Sequence, residues 1–144
     1  LGVLFVWIVG EGFYPLINET SSQNPYAELP PSQAYLWIAI RLIGAAIVVP
    51  IMEEVFWRGF LVRWLINNDF TKVDLGKFTP VAFIATSVMF GFEHQRWLVG
   101  IAAGVAFNWL YWSSKSVKCC IICHAVTNLL LGIYVLQTGN WQFW

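Results

Sequence analysis

Two adjacent carboxylates and an arginine, Glu53, Glu54 and Arg58, sit inside a run from Ala34 to Ile66 that is otherwise almost wholly apolar. Only Arg41 and Arg63 add charge to that run. A stretch so long and apolar reads as a membrane helix. A charge at bilayer depth is costly unless it faces protein or a wet cavity and finds a partner there. On a helix Glu54 and Arg58 are four apart and share a face, whereas Glu53 points about 100° away from Glu54. Such a helix either buries a structural ion pair or gathers these groups for chemistry.

The remainder of the chain implies the same solvent. Hydrophobic residues make up 58% of it and charged residues 11%, with a mean hydropathy of +0.64, well away from soluble domains. Nine tryptophans in 144 residues fit a protein with membrane interfaces. A formal net charge of zero argues against a nucleic-acid partner, which calls for a basic surface.

Taken in order, Leu1 to Gly10 reads as the end of an earlier helix. No basic segment precedes it, so it is not a signal peptide, and further N-terminal spans are expected. Residues 11–33 read as an extracytoplasmic loop with Glu11, Glu19 and Glu28 but no Lys or Arg. Ser32 is the predicted N-cap of the helix that follows. That helix is placed over 34–66, roughly 50 Å long at 1.5 Å per residue, with a kink expected at Pro50. Further helices are placed over 80–94, 97–112 and 117–136, and the aromatic tail from Gly139 to Trp144 suits the interface. The expected fold is therefore all-α: one polytopic transmembrane bundle over residues 1–144, with the catalytic site inside it.

Orientation follows from charge. The loops after the first and third complete spans share a side and, with the adjoining Arg63, hold Arg63, Lys72, Lys77, Lys115 and Lys118. The positive-inside rule places them in the cytoplasm. Measured from those ends, Glu54 lies about 14 Å along its helix, His124 about 10 Å and His94 about 21 Å. The second helix must tilt, or begin beyond the hydrocarbon, to bring them level.

Phe90 and His94 are four apart on the second of these helices, and His124 and Asn128 four apart on the fourth, so each pair shares a face. Two carboxylates, an arginine, two imidazoles and an amide thus come from three helices: a possible general base, proton-sharing groups, and donors for a developing oxyanion. No nucleophile stands out. Ser87 is about 10 Å along the helix from His94, and Cys123 diverges from the face of His124. Direct attack by water is favoured, with Glu53 or Glu54 taking the proton and imidazole plus amide holding the oxyanion.

Glu-Glu-x-x-x-Arg (Glu53, Glu54, Arg58), Phe-x-x-x-His (Phe90, His94) and His-x-x-x-Asn (His124, Asn128) resemble, in order, the three motifs of the CAAX-protease and bacteriocin-processing family. These are the intramembrane glutamic proteases also called Abi proteins. The wider sequence, including the ending Trp141-Gln142-Phe143-Trp144, is similar to the bacterial branch associated with exosortase and exopolysaccharide systems. The resemblance implies peptide-bond hydrolysis with no metal and no cofactor. Glu53 and His94 would activate water, His124 and Asn128 would form the oxyanion site, and Glu54, Arg58 and Phe90 would support them. It also implies a multi-pass protein of the bacterial inner membrane, whose partners are the lipid bilayer and a membrane-associated protein or peptide substrate.

Other readings compete. Glu54–Arg58 can be a buried structural pair, His94 a packing histidine, and His124–Asn128 an interhelical hydrogen-bonding pair. Glu53, His94 and His124 are acceptable zinc ligands for a metalloprotease, although there is no His-Glu-x-x-His motif. A non-catalytic scaffold or immunity protein could bind partner helices in the same cavity. Gly100-x-x-x-Gly104 reads as close helix packing and Asn108 as an interhelical hydrogen bond. Arg41 reads as a partner for a phospholipid or for Glu11. The three cysteines, Cys119, Cys120 and Cys123, match no ligand spacing.

Overall fold

Apolar periodicity without turn signals yields helices throughout. The computed structural model describes residues 1–17 and 23–144, and no strand occurs among them; residues 18–22 of the expected loop lie outside the described residues. The helices are α1 (Gly2–Val9), the short α2 (Pro25–Glu28), α3 (Pro31–Trp64), α4 (Pro80–Phe92), α5 (Trp97–Ser114) and α6 (Val117–Thr138). Single 3-10 turns lie at Phe70–Lys72 and Trp141–Phe143. Helices α3 and α6 are long and apolar enough to cross a membrane, and only 17% and 28% of their most apolar windows are buried. Their outward faces carry Ile40, Ile47, Ile51 and Met52 on α3, and Ile122, Val126 and Leu129 on α6. Apolar surface on that scale calls for hydrocarbon, not water. The architecture is a helical membrane bundle.

Helix α3 starts on Pro31 after Pro30, with no side-chain cap, so Ser32 does not serve as one; a proline in the first turn loses only an N–H that has no helical partner. The chain does not break at Pro50. Instead α3 widens into π-helical turns at Gly44–Val48 and Val55–Leu61, on either side of the α-helical stretch Val49–Glu54. A proline ring inside a helix crowds the carbonyl four residues back, here Ala46, and the wide turn that contains it gives the ring room. The N–H of Val49 reaches back five residues to Gly44 O. The next carbonyl, Ala45 O, then has Pro50 where its donor would be, and Pro50 has no N–H.

Helices α4 and α5 form the closest pair in the bundle. A Cβ on Gly100 would stand 3.0 Å from Gly91 Cα, and one on Gly104 would stand 2.8 Å from Ser87 O. Asn108 Nδ2 donates across the same pair to Thr86 Oγ1 and Ser87 Oγ, both at 2.9 Å. From the cluster of Val62, Ala82, Tyr111 and Cys120 to the cluster of Trp57 and Phe90, α3 advances five residues and α4 eight. The two helices do not keep pace, and Glu53 on α3 and His94 just beyond α4 reach one cavity.

At one end of the bundle Arg63 ties the loop after α3 by donating to Val73 O and Gly59 O, and Gly76 packs against Lys115. At the other end Arg96 takes Glu11 in a two-point ion pair at 2.6 and 2.9 Å. Arg96, not Arg41, is the partner of Glu11. The Arg41 guanidinium lies instead over the rings of Trp37 and Trp144. The tail folds back onto the bundle, with Trp141 buried and stacked on Trp144.

Candidate active site

Helix spacing places Glu54 and Arg58 on one face, and the two are fully buried and paired, Arg58 Nη1 donating to Glu54 Oε1 at 3.2 Å. Arg58 Nη2 also donates to Gly104 O at 3.3 Å. Its guanidinium lies 4.7 Å above the Phe90 ring. The same Glu54 oxygen lies 2.9 Å from His124 Nδ1. A carboxylate accepts, so Nδ1 carries the proton, and Nε2 is the nitrogen left for the cavity. His94 is fixed in the same sense, its Nδ1 donating to Phe90 O at 2.8 Å.

Aromatic rings hold both imidazoles. Phe107 stacks on His124 with centroids 4.9 Å apart, and Trp7 meets His94 edge-on at 5.4 Å. Phe90 lies between them and touches both.

Glu53, His94, His124 and Asn128 line one cavity of about 190 Å³. Glu53 points away from Glu54, as its helical offset requires, and its Oε2 is buried with no protein hydrogen-bond partner. A buried carboxylate oxygen in that position is the natural contact of a water. Asn128 Nδ2 donates to Ala45 O at 2.8 Å, the carbonyl that Pro50 leaves without a helical donor. The amide keeps a second N–H and its oxygen free of that bond.

Some of the surroundings carry no signal in the three motifs. Trp7 from α1 and Phe143 and Trp144 from the tail complete the cavity wall. Trp57 Nε1 donates to Glu93 Oε2 at 3.0 Å, tying α3 to the end of α4 beside His94. The only sequence hint was adjacency: Trp57 precedes Arg58, and Glu93 precedes His94. Among the described residues no three of His, Cys, Asp and Glu gather closely enough to share a metal ion. Glu53, His94 and His124 thus share a cavity without forming a ligand set.

An apolar helical bundle that encloses a carboxylate, two imidazoles and a carboxamide has the makings of a membrane protease. The family model described as Rce1-like, type II CAAX prenyl endopeptidase, matches residues 35–130, two thirds of the chain, and the chain belongs to that family. The match is to the family as a whole and does not distinguish the exosortase-associated branch from the rest. No curated protein and no solved structure matches the chain.

Proposed function

We propose that the chain is a multi-pass endopeptidase of a bacterial inner membrane that hydrolyses a peptide bond of a membrane-associated protein by glutamate-activated water. Glu53 takes the proton of the attacking water, and His94 Nε2 shares it. The oxygen of the scissile carbonyl, as it becomes an oxyanion, is held by the free N–H of Asn128 and by His124 through Nε2, which donates when the ring carries both protons. Glu54, ion-paired with Arg58, holds the His124 ring by Nδ1. The proton then passes to the leaving amine as the C–N bond breaks, leaving a carboxylic acid and an amine, and the acid gives its proton to water or to the amine.

The observation that supports this reading best is the cavity itself: four polar side chains from three helices face one space, and the carboxylate among them has a buried oxygen with no protein partner. A structural ion pair accounts for Glu54 and Arg58 but gives no reason for Glu53 to be there.

Glu53→Gln tests it, because the amide keeps the shape and removes the base. Cleavage of a membrane-tethered peptide should fall by about 10²- to 10⁴-fold, with unchanged thermal unfolding in detergent. Full activity in this variant would end the glutamate mechanism. Wild-type activity that is lost to a chelator and restored by zinc would move the reading to a metalloprotease.

A further inference from the structure

Three of the four polar groups in the reaction cavity sit on helices that are bonded directly to each other. Helix α3, which carries Glu53, is joined to α6, which carries His124 and Asn128, by two hydrogen bonds, Glu54 with His124 and Asn128 with Ala45 O. Arg58 adds a bond from α3 to Gly104 O of α5. His94 is placed differently. It stands just past the end of α4, in a turn at residues 93–96, and its Nδ1 bond to Phe90 O holds the ring to α4 alone. Further along, the turn is tied to the N-terminal segment, where Arg96 pairs with Glu11 and Ile17 N–H donates to Gln95 O.

What joins the turn to α3 is its first residue. Trp57 Nε1 donates to Glu93 Oε2 at 3.0 Å, and among the described residues this is the one side-chain hydrogen bond from α3 to residues 93–96. Trp57 follows Glu53 by about one helical turn, and Glu93 is the chain neighbour of His94. The indole also meets the Phe90 ring edge-on at 5.8 Å. Apolar contact of that kind keeps α3 and α4 together but is non-directional. A hydrogen bond is directional, so it also fixes how far one helix has slid along the other. The donor is held by packing, since Trp57 is buried, whereas Glu93 is exposed. Glu93 lines a second, polar space of about 480 Å³ that shares His94 with the reaction cavity.

We infer that Trp57 and Glu93 are positioning residues: their hydrogen bond sets the register between α3 and the end of α4, and so holds His94 in place relative to Glu53. The inference rests on the hydrolytic reading above for what those two groups then do, but not for their placement. Glu93 supplies an acceptor oxygen, not a charge or a proton, so an amide oxygen can serve in its stead.

Three variants of the full chain in detergent test the clamp. Trp57→Phe removes the donor and keeps a ring against Phe90, Glu93→Met removes the acceptor, and Glu93→Gln keeps one. On a membrane-tethered peptide, Trp57→Phe and Glu93→Met should each lower kcat by about 10- to 10²-fold, as displacement of a reacting group does, with KM little changed. The double variant of Trp57→Phe with Glu93→Met should be no worse than the poorer single, because both break one bond. Glu93→Gln should keep most of the wild-type kcat.

Placement can also be read without catalysis. The chain has two histidines, so imidazole nitrogen NMR of histidine-labelled protein resolves them, with His124→Gln for assignment. The His94 signals should shift or broaden in Trp57→Phe and Glu93→Met and stay in Glu93→Gln, while those of His124 hold in all three. Full activity in Trp57→Phe and Glu93→Met, equal losses in Glu93→Gln and Glu93→Met, additive losses in the double variant, or unmoved His94 signals each overturns the inference. If Trp57→Phe fails to fold, the two substitutions at the exposed Glu93 decide alone. The expected NMR pattern together with an active Glu53→Gln enzyme would remove the glutamate mechanism and leave the clamp standing. Unmoved His94 signals together with an inactive Glu53→Gln enzyme would do the opposite.

Discussion

Glu54 Oε1 lies 2.9 Å from His124 Nδ1 across 70 residues of sequence, and the same oxygen accepts from Arg58 four residues along its own helix. One buried oxygen therefore couples the ion pair to the imidazole. Glu54 sets the tautomer and orientation of His124 and, in the proposed mechanism, acts only through it. Glu54→Gln should lower kcat by about 10²-fold, in the range seen for loss of an oxyanion donor, with little change in KM. The double variant with His124→Ala should be no worse than His124→Ala alone, because groups that act as a unit are not additive. Kinetics on one peptide substrate check this, and additive losses would place the role of Glu54 elsewhere.

Arg58 is predicted to matter first for folding. It is fully buried, donates to Glu54 and Gly104 O, and lies over the Phe90 ring. Arg58→Met leaves the Glu54 charge buried without its cation, a loss of about 3–5 kcal/mol. Arg58→Lys should recover only part of it, since an ammonium cannot present the same planar fork to two acceptors and a ring. Thermal unfolding in detergent should rank wild type above Arg58→Lys and Arg58→Lys above Arg58→Met.

Short-range relations at this site could be read from spacing, and long-range ones could not. The interval of four from Glu54 to Arg58 predicts a shared face, and the two do pair. The intervals at Phe90–His94 and His124–Asn128 predict which residues look the same way, and the cavity has Phe90, His94, His124 and Asn128 along its wall. Spacing along one helix says nothing about which groups meet between helices, so Glu54–His124 and Trp57–Glu93 had no signature. Nor does it give the offset between helices: His94 stands farther along its helix than Glu54 or His124, yet it lines one cavity with Glu53 and His124. The packing of the tail was not legible either. Trp141, Phe143 and Trp144 suit a membrane interface, and spacing does not show that Trp141 packs on Ile38 and Val135 or that Phe143 and Trp144 join the cavity wall. Nor did the sequence signal that the backbone on either side of Pro50 takes π turns, which are rare and have no simple residue pattern.

Glycine substitutions should separate close packing from mere helix content. A Cβ on Gly91 would stand 2.7 Å from both Ile101 N and Trp97 O, which are backbone atoms that cannot step aside. Gly91→Ala should therefore force α4 from α5, cost about 1–3 kcal/mol, and move His94 three residues on. Gly44, in the first π turn, has nothing within 4 Å of its Cβ position, so Gly44→Ala should be neutral or slightly stabilising. Thermal unfolding and activity measured side by side check the pair, and equal effects would remove the packing argument.

The last expectation concerns how a proline outside the cavity positions an amide inside it. Ala45 O lacks a helical donor because Val49 N–H goes to Gly44 O and Pro50 has no N–H to offer. Asn128 Nδ2 fills that vacancy at 2.8 Å, which fixes the amide plane and directs its second N–H. Pro50→Ala restores a backbone donor, so Ala45 O can be satisfied within α3 and Asn128 is released. Asn128→Ala should reduce kcat by about 10²-fold as a lost oxyanion donor. Pro50→Ala should cost part of that, roughly tenfold on the same reasoning, while stability holds or rises because a helical hydrogen bond is regained. In the double variant the Pro50 substitution should add nothing further. If Pro50→Ala lowers stability and leaves kcat unchanged, the proline serves the helix alone and Asn128 is held by other means.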